Sequence, residues 1–345
     1  MTDPTRPAYD VLGLGNAIVD VIAETDERAL ERLDLAKGTM TLIDRARMTR
    51  LYDGMGPAIE MSGGSCANTM AALASLGANA AYVGKVHDDQ LGEVFRHDIR
   101  AAGVDFRTPP LDSGPPTARC LIFVTRDAQR TMATYLGACV ELGPEDVDEA
   151  QVAAARIVYL EGYLWDRPGA KAACLKAAEI AHRHGRKVAL TLSDPFCVDR
   201  WRAEFADLIA RHVDILIANQ LEICSLYGAK ELDQAADMVR GQVQLAALTC
   251  SADGSVLVTN GHTHRIAAAP VDAVVDTTGA GDLYAAGLLY GLAGDLPLPA
   301  CGRLGSLAAA EVLGHFGARP IRPLKPLVEA VSAGQQRSAV DDVTE

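Results

Sequence analysis

The sequence predicts an α/β protein whose mostly parallel central sheet is covered by helices on both faces, with a small β-sheet lid beside it. The second half of the chain alternates strand patterns with helical patterns, which is the order typical of parallel sheets. Those strand patterns are almost continuously apolar, as expected for strands that are buried on both faces. The first half holds short strand patterns that break this alternation, and these supply the predicted lid.

The alternation of the second half ends in two short strands that flank Asn260-Gly261, the dipeptide that most strongly indicates a β-hairpin. The strands of this half are predicted at 157–160, 187–192, 214–218, 245–249, 255–259 and 263–266. The helices are predicted at 169–184, 201–211, 280–293 and 300–314, with short helices up to about residue 240.

The first half predicts two excursions out of the main domain. Its strands are predicted at 11–14, 19–23, 39–43, 118–124 and 131–135, and its helices at 26–34 and 65–76. We therefore assign to the α/β core the segments 9–15, 63–109 and 137–331. The lid is assigned the segments 16–62 and 110–136. The polar ends, 1–8 and 332–345, are expected to be flexible tails.

The composition indicates a globular protein of the cytoplasm. Of the 345 residues, 49% are hydrophobic and 22% are charged, which suits a folded chain with a large core. The formal net charge of −13 argues against non-specific binding to nucleic acid or anionic membranes. The eight cysteines form no Cys-x-x-Cys pair, as expected for free thiols in a reducing compartment. We expect neither secretion nor membrane insertion, because no apolar run approaches the length of a membrane span.

The strongest functional signal is the run Asp276-Thr277-Thr278-Gly279-Ala280-Gly281-Asp282, which opens a predicted helix. Small residues at a helix start leave backbone N–H groups uncovered, and such a nest binds anions. The helix dipole favours the ionised form of Asp282, which could then accept a proton from a hydroxyl. A donor nest beside a carboxylate base is what phosphoryl transfer to an alcohol requires. The structural alternative is a Gly-rich turn with an Asp that stabilises the helix start.

A second signal, Gly63-Gly64-Ser65, opens the helix predicted at 65–76. Paired glycines allow a ligand to approach the backbone closely, and Asn68, one turn into the helix, could bind a hydroxyl. The alternative is a plain turn capped by Ser65.

A third signal lies in Gly13-Leu14-Gly15-Asn16-Ala17-Ile18. A dinucleotide-binding turn would need a third glycine where Ile18 stands, which disfavours a dehydrogenase. Asp20 follows within an apolar strand, where a carboxylate is costly unless it has a partner. A vicinal diol would be such a partner, and an edge strand with Asp20 facing water is the alternative.

A fourth signal is Asn219-Gln220-Leu221-Glu222, at the end of a predicted strand. Ligands of α/β sheets bind at the carboxyl ends of strands, so Asn219 and Glu222 could orient a Mg²⁺–phosphate complex through water. A simple strand-to-helix cap is the alternative. His262 and His264 could bind a metal, but an exposed hairpin pair is preferred. Tyr163 and Trp165 either stack on a planar ligand or pack under the lid.

Taken together, these motifs resemble the ribokinase-like (PfkB) family of carbohydrate and nucleoside kinases. The resemblance runs from about Tyr9 to Pro320. The run at 276–282 is similar to the family's carboxy-terminal signature, and Gly63-Gly64-Ser65 is similar to its amino-terminal one. The segments G-N-A-I-V-D at 15–20 and V-D-I-L-I-A-N-Q-L-E at 213–222 are most similar to the adenosine kinase branch.

The resemblance implies a three-layer α/β/α sandwich with a lid, the cofactors ATP and Mg²⁺, and the stimulation by K⁺ that is frequent in the family. It implies Asp282 as the catalytic base, with an anion hole formed by the amides of Gly279, Ala280 and Gly281. The residues implied for the acceptor and its new phosphate are Asn16, Asp20, Gly63, Gly64, Asn68 and Arg119. The residues implied for MgATP are Asn219, Glu222, which would reach Mg²⁺ through water, Thr249 and Gly254. Asp276 and Thr278 are implied at a monovalent-cation site.

The leading functional hypothesis is an adenosine kinase that converts ATP and adenosine to ADP and AMP. The alternative within the family is a sugar kinase acting on ribose, fructose or 2-keto-3-deoxygluconate. An aromatic slot near Trp165 would favour a nucleoside, and a small polar pocket would favour a sugar. A non-catalytic sugar- or nucleotide-binding sensor is the alternative from another class, which Asp282 disfavours. The expected partner is a small molecule, and the lid strands could also join two copies in a homodimer.

Overall fold

The computed structural model describes residues 7–127 and 129–341, which form two sheets and the helices around them. The strands are β1 (Tyr9–Leu14), β2 (Ile18–Glu24), β3 (Met40–Leu42), β4 (Ala58–Gly63), β5 (Ala80–Val83), β6 (Asp105–Phe106), β7 (Ala118–Val124), β8 (Arg130–Tyr135), β9 (Ala155–Glu161), β10 (Lys187–Thr191), β11 (Ile215–Asn219), β12 (Leu245–Thr249), β13 (Ser255–Val258) and β14 (Thr263–Ile266). The α-helices are α1 (Glu27–Arg32), α2 (Arg45–Asp53), α3 (Ser65–Leu76), α4 (Gln90–Ala101), α5 (Glu149–Ala153), α6 (Pro168–Arg183), α7 (Pro195–His212), α8 (Gln220–Tyr227), α9 (Leu232–Val239), α10 (Ala280–Ala293), α11 (Leu298–Leu313) and α12 (Lys325–Asp341). Short 3₁₀ helices lie at Gly137–Glu141, Pro144–Asp146, Gly162–Asp166 and Ser251–Asp253.

The larger sheet has nine strands in the order β14-β13-β12-β11-β10-β9-β1-β5-β6. Along this order, every pair of neighbouring strands from β12 at one side to β6 at the edge is parallel. At the other edge, β13 and β14 extend the sheet as an antiparallel hairpin. Asn260-Gly261 lies in the turn of that hairpin, as its type predicts.

Helices cover both faces of this sheet, because its strands send alternate side chains into two separate cores. Val11 enters the core that holds residues of α3, α4, α10 and α11, and Leu12 enters the core that holds residues of α6, α7, α8 and α9. This confirms the prediction of three layers with a mostly parallel central sheet.

The smaller sheet, called the lid sheet below, has the strand order β3-β8-β7-β2-β4. Its strands come from residues 18–63 and 118–135, the two parts of the chain that depart from the βα alternation. Val19 and Val21 of β2 pack in one core with Leu30 of α1 and Leu51 of α2. Because side chains alternate along a strand, Asp20 points to the opposite face of the lid sheet. β2 lies between β7 and β4, so the edge-strand interpretation of Asp20 is wrong.

Several elements depart from the sequence-based expectation. β4 and β5 were not predicted, since strands of six and four residues are too short for a clear periodic signal. Helix α4 was missed although its buried residues Leu91, Phe95 and Ile99 recur at helical spacing. Helix α12 continues to Asp341, whereas a tail was expected from residue 332. Near the start of this helix, Leu327, Val328 and Val331 pack on the main core. The expectation for 1–6 and 342–345 falls outside the described residues.

Within the described ranges, none of the helices combines the length and the apolar character needed to cross a bilayer.

Candidate active site

The site is built where the N-terminus of α3 meets the N-terminus of α10. Ser65 is the first residue of α3, and its hydroxyl donates a 2.6 Å hydrogen bond to Oδ1 of Asp282 in the first turn of α10. One turn later, Nδ2 of Asn68 donates to Oδ2 of Asp282 at 3.1 Å. Both oxygens of the predicted base are therefore oriented by side chains of a single helix.

The two glycines before α3 let this helix start press against the strand that carries Asp20. Gly64 is the N-cap residue, with φ of +95°, a conformation that favours glycine. A Cβ on Gly64 would overlap the carbonyl oxygen of Asn16, and a Cβ on Gly63 would overlap the carboxylate of Asp20. The glycines thus serve close backbone packing. The alternative of a cap by Ser65 is wrong, because Gly64 is the N-cap and Ser65 lies inside the helix.

Arg319 joins this cluster from the loop after α11. Its Nε donates a 3.0 Å hydrogen bond to Oδ1 of Asn68, so Asn68 bridges Arg319 and Asp282. The Nη2 atom of Arg319 is buried and finds no hydrogen-bond partner among the described residues. Sequence reasoning missed Arg319, because it lies outside every motif and 251 positions from Asn68.

Burial sets the acidity of Asp20 and Asp282, the two carboxylates of this site. It raises the pKa of Asp20 to about 6, against the opposing charges of Arg319 and Arg130, and the charge of Asp282 raises it further. Burial likewise raises the pKa of Asp282, while the hydrogen bonds from Ser65 and Asn68 and the charge of Arg319 oppose that rise. A carboxylate that is desolvated but held ionised by donors is suited to accept a proton.

The predicted anion nest lies next to this base. Gly279 has φ of +80° and precedes the first residue of α10, where the leading amides of a helix have no partner within the helix. A Cβ on Gly279 would lie 2.7 Å from Cα of Ala318, so only glycine fits there. The amide of Ala280 already donates a long, 3.3 Å bond to the carbonyl of Thr277. The amides of Gly279 and Gly281 are therefore the better candidates for anion binding.

Glu161 is a buried carboxylate that joins the end of β1 to the start of α3, and sequence reasoning missed it. It ends β9 and is only 1% exposed. Its carboxylate accepts hydrogen bonds from Asn16 Nδ2 at 2.7 Å and from the amide of Cys66 at 3.0 Å. Burial raises the pKa of Glu161 to about 7, although these hydrogen bonds oppose the rise. Asn16, which was predicted to bind substrate, thus uses its amide group to join the end of β1 to Glu161.

Asn219 and Glu222 form a capping box at the start of α8, at the carboxyl end of β11. Asn219 Oδ1 accepts from the amide of Glu222, and the Glu222 carboxylate accepts from Asn219 N at 2.9 Å and from Asn219 Nδ2 at 2.6 Å. Burial raises the pKa of Glu222 to about 7. Thr249 ends the neighbouring strand opposite Asn219, and Gly254, with φ of +85°, follows in the next turn. These four residues share the carboxyl edge of the sheet.

Arg119 does not lie on the face of the lid sheet that carries Asp20. It pairs in register with Val19, and its guanidinium lies 5.1 Å from the centre of the Tyr52 ring. The prediction of a phosphate contact by Arg119 fails in this geometry, because alternation along β7 turns its side chain toward α2. Arg130 of β8 is the lid arginine that reaches the core, where its Nη2 lies 2.7 Å from Oδ2 of Asp276.

Two further expectations about ligands are decided by packing. Trp165 is 4% exposed and stacks on Phe205 at 5.5 Å, so it offers no open aromatic slot. Tyr163 is half-buried, its hydroxyl donates to the carbonyl of Ser193, and the charges of Glu161 and Asp282 both act on it. Tyr163 is thus a half-buried aromatic residue on the side of the sheet where Glu161 ends β9.

Across the parts of the chain that the structure describes, no group of three or more His, Cys, Asp or Glu side chains is arranged to hold a metal ion. The rings of His262 and His264 are 6.4 Å apart, and His262 precedes β14. His262 is exposed in the turn of the β13–β14 hairpin, and His264 lies on β14.

The fold and the site together define a kinase that acts on a small molecule. A parallel sheet with polar residues at its carboxyl edge, the predicted base Asp282 beside the predicted anion nest, and a second small sheet are parts that suit phosphoryl transfer to a hydroxyl. Residues 59–324 match the family described as pfkB family carbohydrate kinase, and the chain belongs to that family.

Relatives with solved structures include both nucleoside and sugar kinases. The adenosine kinase of Sinorhizobium meliloti is 54% identical to this chain, with a TM-score of 0.87 over 94% of this chain and 99% of that chain. A probable sugar kinase of Rhizobium etli is 49% identical, with a TM-score of 0.88 over the same shares of the two chains. The 5-dehydro-2-deoxygluconokinase of Shouchella clausii is 28% identical over 335 residues, which are 93% of this chain and 96% of that protein.

Proposed function

We propose that this kinase phosphorylates the 5′-hydroxyl of adenosine, converting ATP and adenosine to ADP and AMP. The observation that carries the proposal is a pair of carboxylates in one site, Asp282 and Asp20 of the lid strand β2, whose charges act on each other. Asp282 is oriented by hydrogen bonds from Ser65 and Asn68. One carboxylate would remove a proton, and the other would hold a diol. The 54% identity to the adenosine kinase of Sinorhizobium meliloti supports adenosine as the acceptor.

In the chemical step, Asp282 would accept the proton of the attacking hydroxyl. Its two hydrogen-bond donors hold the carboxylate in one orientation, so little reorganisation is needed at the moment of transfer. The amides of Gly279 and Gly281 would bind the oxygens of the transferred phosphoryl group, where negative charge develops. Closure of the lid sheet would exclude water, which favours the alcohol as the phosphoryl acceptor.

For the acceptor, Asp20 would accept hydrogen bonds from two adjacent hydroxyls of the ribose, which only its ionised form can do at both oxygens. Asn68 would assist from α3, and Gly63 and Gly64 allow the start of α3 to pack against the residues around Asp20 and Asn16. Tyr163, which the charges of Glu161 and Asp282 reach, would support the base.

For the nucleotide, MgATP would lie along the carboxyl ends of β11 and β12. Mg²⁺ is general among these kinases and would neutralise charge on the phosphates. Glu222 would act on Mg²⁺ through water, since both its oxygens already accept hydrogen bonds from Asn219. Thr249 and Gly254 would border the nucleotide at the next strand and turn.

A sugar kinase is the second candidate. It is supported by the relatives named 5-dehydro-2-deoxygluconokinase and by the Rhizobium etli protein, which is described as a probable sugar kinase. The burial of Trp165 also removes one predicted reason to prefer a nucleoside. Because Asp20 and Asp282 would act in the same way on a sugar, the two candidates differ only in the acceptor.

The test is ADP release from MgATP with adenosine, other nucleosides, ribose, fructose, 2-keto-3-deoxygluconate and 5-dehydro-2-deoxygluconate, each beside Asp282→Asn as a control. Turnover by the wild type with adenosine alone, abolished in the variant, is the expected result. Turnover with a free sugar alone would replace the acceptor and keep the base. Binding of ligands without any turnover in either protein would favour the non-catalytic sensor.

A homodimer through the lid is also proposed. The outer strands of the lid sheet expose apolar side chains: Met40 and Leu42 on β3 are 48% and 55% exposed, and Ile59 on β4 is 68% exposed. Molecular mass in solution, compared between the wild type and Met40→Ser/Leu42→Ser, tests this proposal. A monomeric wild type would refute it.

A further inference from the structure

The carboxylate of Asp276 is enclosed by hydrogen-bond donors. Its Oδ1 accepts from the amide of Thr278 at 3.0 Å and from the hydroxyl of Thr278 at 2.7 Å. Its Oδ2 accepts from the amide of Gly317 at 3.1 Å and from Nη2 of Arg130 at 2.7 Å. The contacts that the described residues make with this carboxylate therefore come from N–H and O–H groups.

A monovalent cation does not fit this arrangement. An alkali cation replaces its hydration shell with several oxygen lone pairs, whereas both oxygens of Asp276 already accept from donors. The hydroxyl hydrogen of Thr278 is directed to Asp276, and the guanidinium of Arg130 would repel a second positive charge. Both members of the Arg130–Asp276 pair have only 8% of their side chains exposed, so solvent screens that repulsion weakly.

Arg130 comes from the lid, and Asp276 belongs to the core. Arg130 begins β8, where it pairs with Val124 of β7. Its guanidinium also lies 5.8 Å from the centre of the Phe316 ring, next to Gly317. The ion pair therefore ties the lid sheet to the loop that carries Gly317 and, two residues later, Arg319.

We propose that the guanidinium of Arg130 takes the place of a monovalent cation at Asp276, so that this kinase needs no K⁺. Arg130 is a positioning residue: it neutralises Asp276 and holds the loop 316–319. Through that loop it keeps Arg319 on Asn68, and thereby the orientation of Asp282. A guanidinium supplied by the chain neutralises Asp276 without any ion taken up from solution.

The test compares kcat and KM in KCl, NaCl and choline chloride at equal ionic strength, for the wild type, Arg130→Met and Arg119→Met. The assay uses the acceptor that is turned over, so it depends on kinase activity but not on adenosine being that acceptor. We expect the wild type to vary by less than about twofold among the three salts. We expect Arg130→Met to lose ~10-fold or more of its kcat in choline and to recover part of it in KCl.

Arg119→Met is the matched control, because it removes a lid guanidinium that does not touch Asp276. It should show no dependence on the cation. Thermal unfolding supplies a second readout that needs no acceptor: KCl should raise the midpoint of Arg130→Met over its value in choline chloride and leave that of the wild type unchanged.

Several-fold activation of the wild type by KCl over choline would overturn the proposal, and this measurement does not depend on a variant that folds. Loss of activity in Arg130→Met without any recovery in KCl or NaCl would also overturn it, since Arg130 would then not be replaceable by a cation.

Discussion

The hydroxyl of Ser65 donates a 2.6 Å hydrogen bond to the carboxylate of Asp282, across 217 positions of sequence. This bond joins the first turns of α3 and α10, so the base is oriented by the helix that also carries Asn68. The Gly63-Gly64 turn before α3 packs against β2, which carries Asp20. The proposed acceptor carboxylate and the proposed base are therefore both positioned by the start of α3.

Replacing Asp282 with Asn should lower kcat by about 10²–10⁴-fold, because general base catalysis contributes that much in typical enzymes. Affinity for ATP should stay near that of the wild type, since the base acts in the chemical step. Single-turnover rates and nucleotide-binding titrations measure the two effects. Ser65→Ala is the milder comparison variant, and its kcat should fall less, because it removes only one of the two hydrogen bonds that orient Asp282. A variant Asp282→Asn with wild-type kcat would exclude the role of base.

Replacing Asp20 with Ala should raise KM for the acceptor about 10–100-fold, because hydrogen bonds to a charged group contribute ~1.5–3 kcal/mol. KM for ATP should change little. Steady-state kinetics with each substrate varied in turn gives both constants. An equal rise in the two KM values would instead show that Asp20 stabilises the lid.

The pH profile should also report Asp20. Its pKa is raised to about 6 by burial, and only the ionised carboxylate accepts from two hydroxyls, so kcat/KM for the acceptor should fall as the pH drops through about 6. Asp20→Asn should have a lower kcat/KM for the acceptor, and this value should not fall further as the pH drops through about 6. If kcat/KM of Asp20→Asn falls in the same way below about pH 6, another group causes the fall.

Glu161 should make the protein less stable as the pH rises from about 4.5 to about 7. Its pKa is near 7 when folded and near 4.5 for an ordinary Glu, so the folded state binds the proton more tightly in this window. The difference amounts to about 3 kcal/mol at most, and no further change from this group is expected above pH 7. Urea unfolding at several pH values, for the wild type and Glu161→Gln, measures it. The variant should show a flatter dependence between these pH values, and equal slopes would refute the assignment.

Arg319→Met should lower kcat by about tenfold with little change in KM for ATP, because it removes the donor that holds Asn68 on Asp282. Arg319→Lys is the matched variant, since it keeps the charge but not the planar guanidinium. Recovery of kcat by Lys would show that charge is what matters, whereas failure of Lys would show that the Nε bond is required. A wild-type kcat in Arg319→Met would exclude the positioning role.

The motifs that the sequence placed correctly are those whose requirements lie within a few neighbouring residues. Gly279 and Gly64 have positive φ at helix starts, and such backbone demands can be predicted from glycines beside a helical pattern. Asp282 and Asn68 follow at fixed offsets in those helices, so their positions on the first turns were predictable too.

Arg119 shows where local reasoning fails. A strand can be recognised from its composition, but the face that a given side chain takes depends on register with the neighbouring strands. Because Arg119 pairs with Val19 and not with Asp20, its side chain lies on the face of the lid sheet opposite to Asp20. Arg130, two strands from Asp20 in the same sheet, reaches the core instead.

The sequence by itself determined the α/β class with its lid, the helix starts at Gly64 and Gly279, and Asp282 as the candidate base. Only the tertiary structure decided that Ser65 and Asn68 bind this base, that Arg319 binds Asn68, and that Arg130 forms an ion pair with Asp276. The physical reason is that backbone conformation responds to adjacent residues, whereas these contacts join positions up to 251 residues apart. Such contacts form only when helices and sheets pack, and no local pattern of residues encodes them.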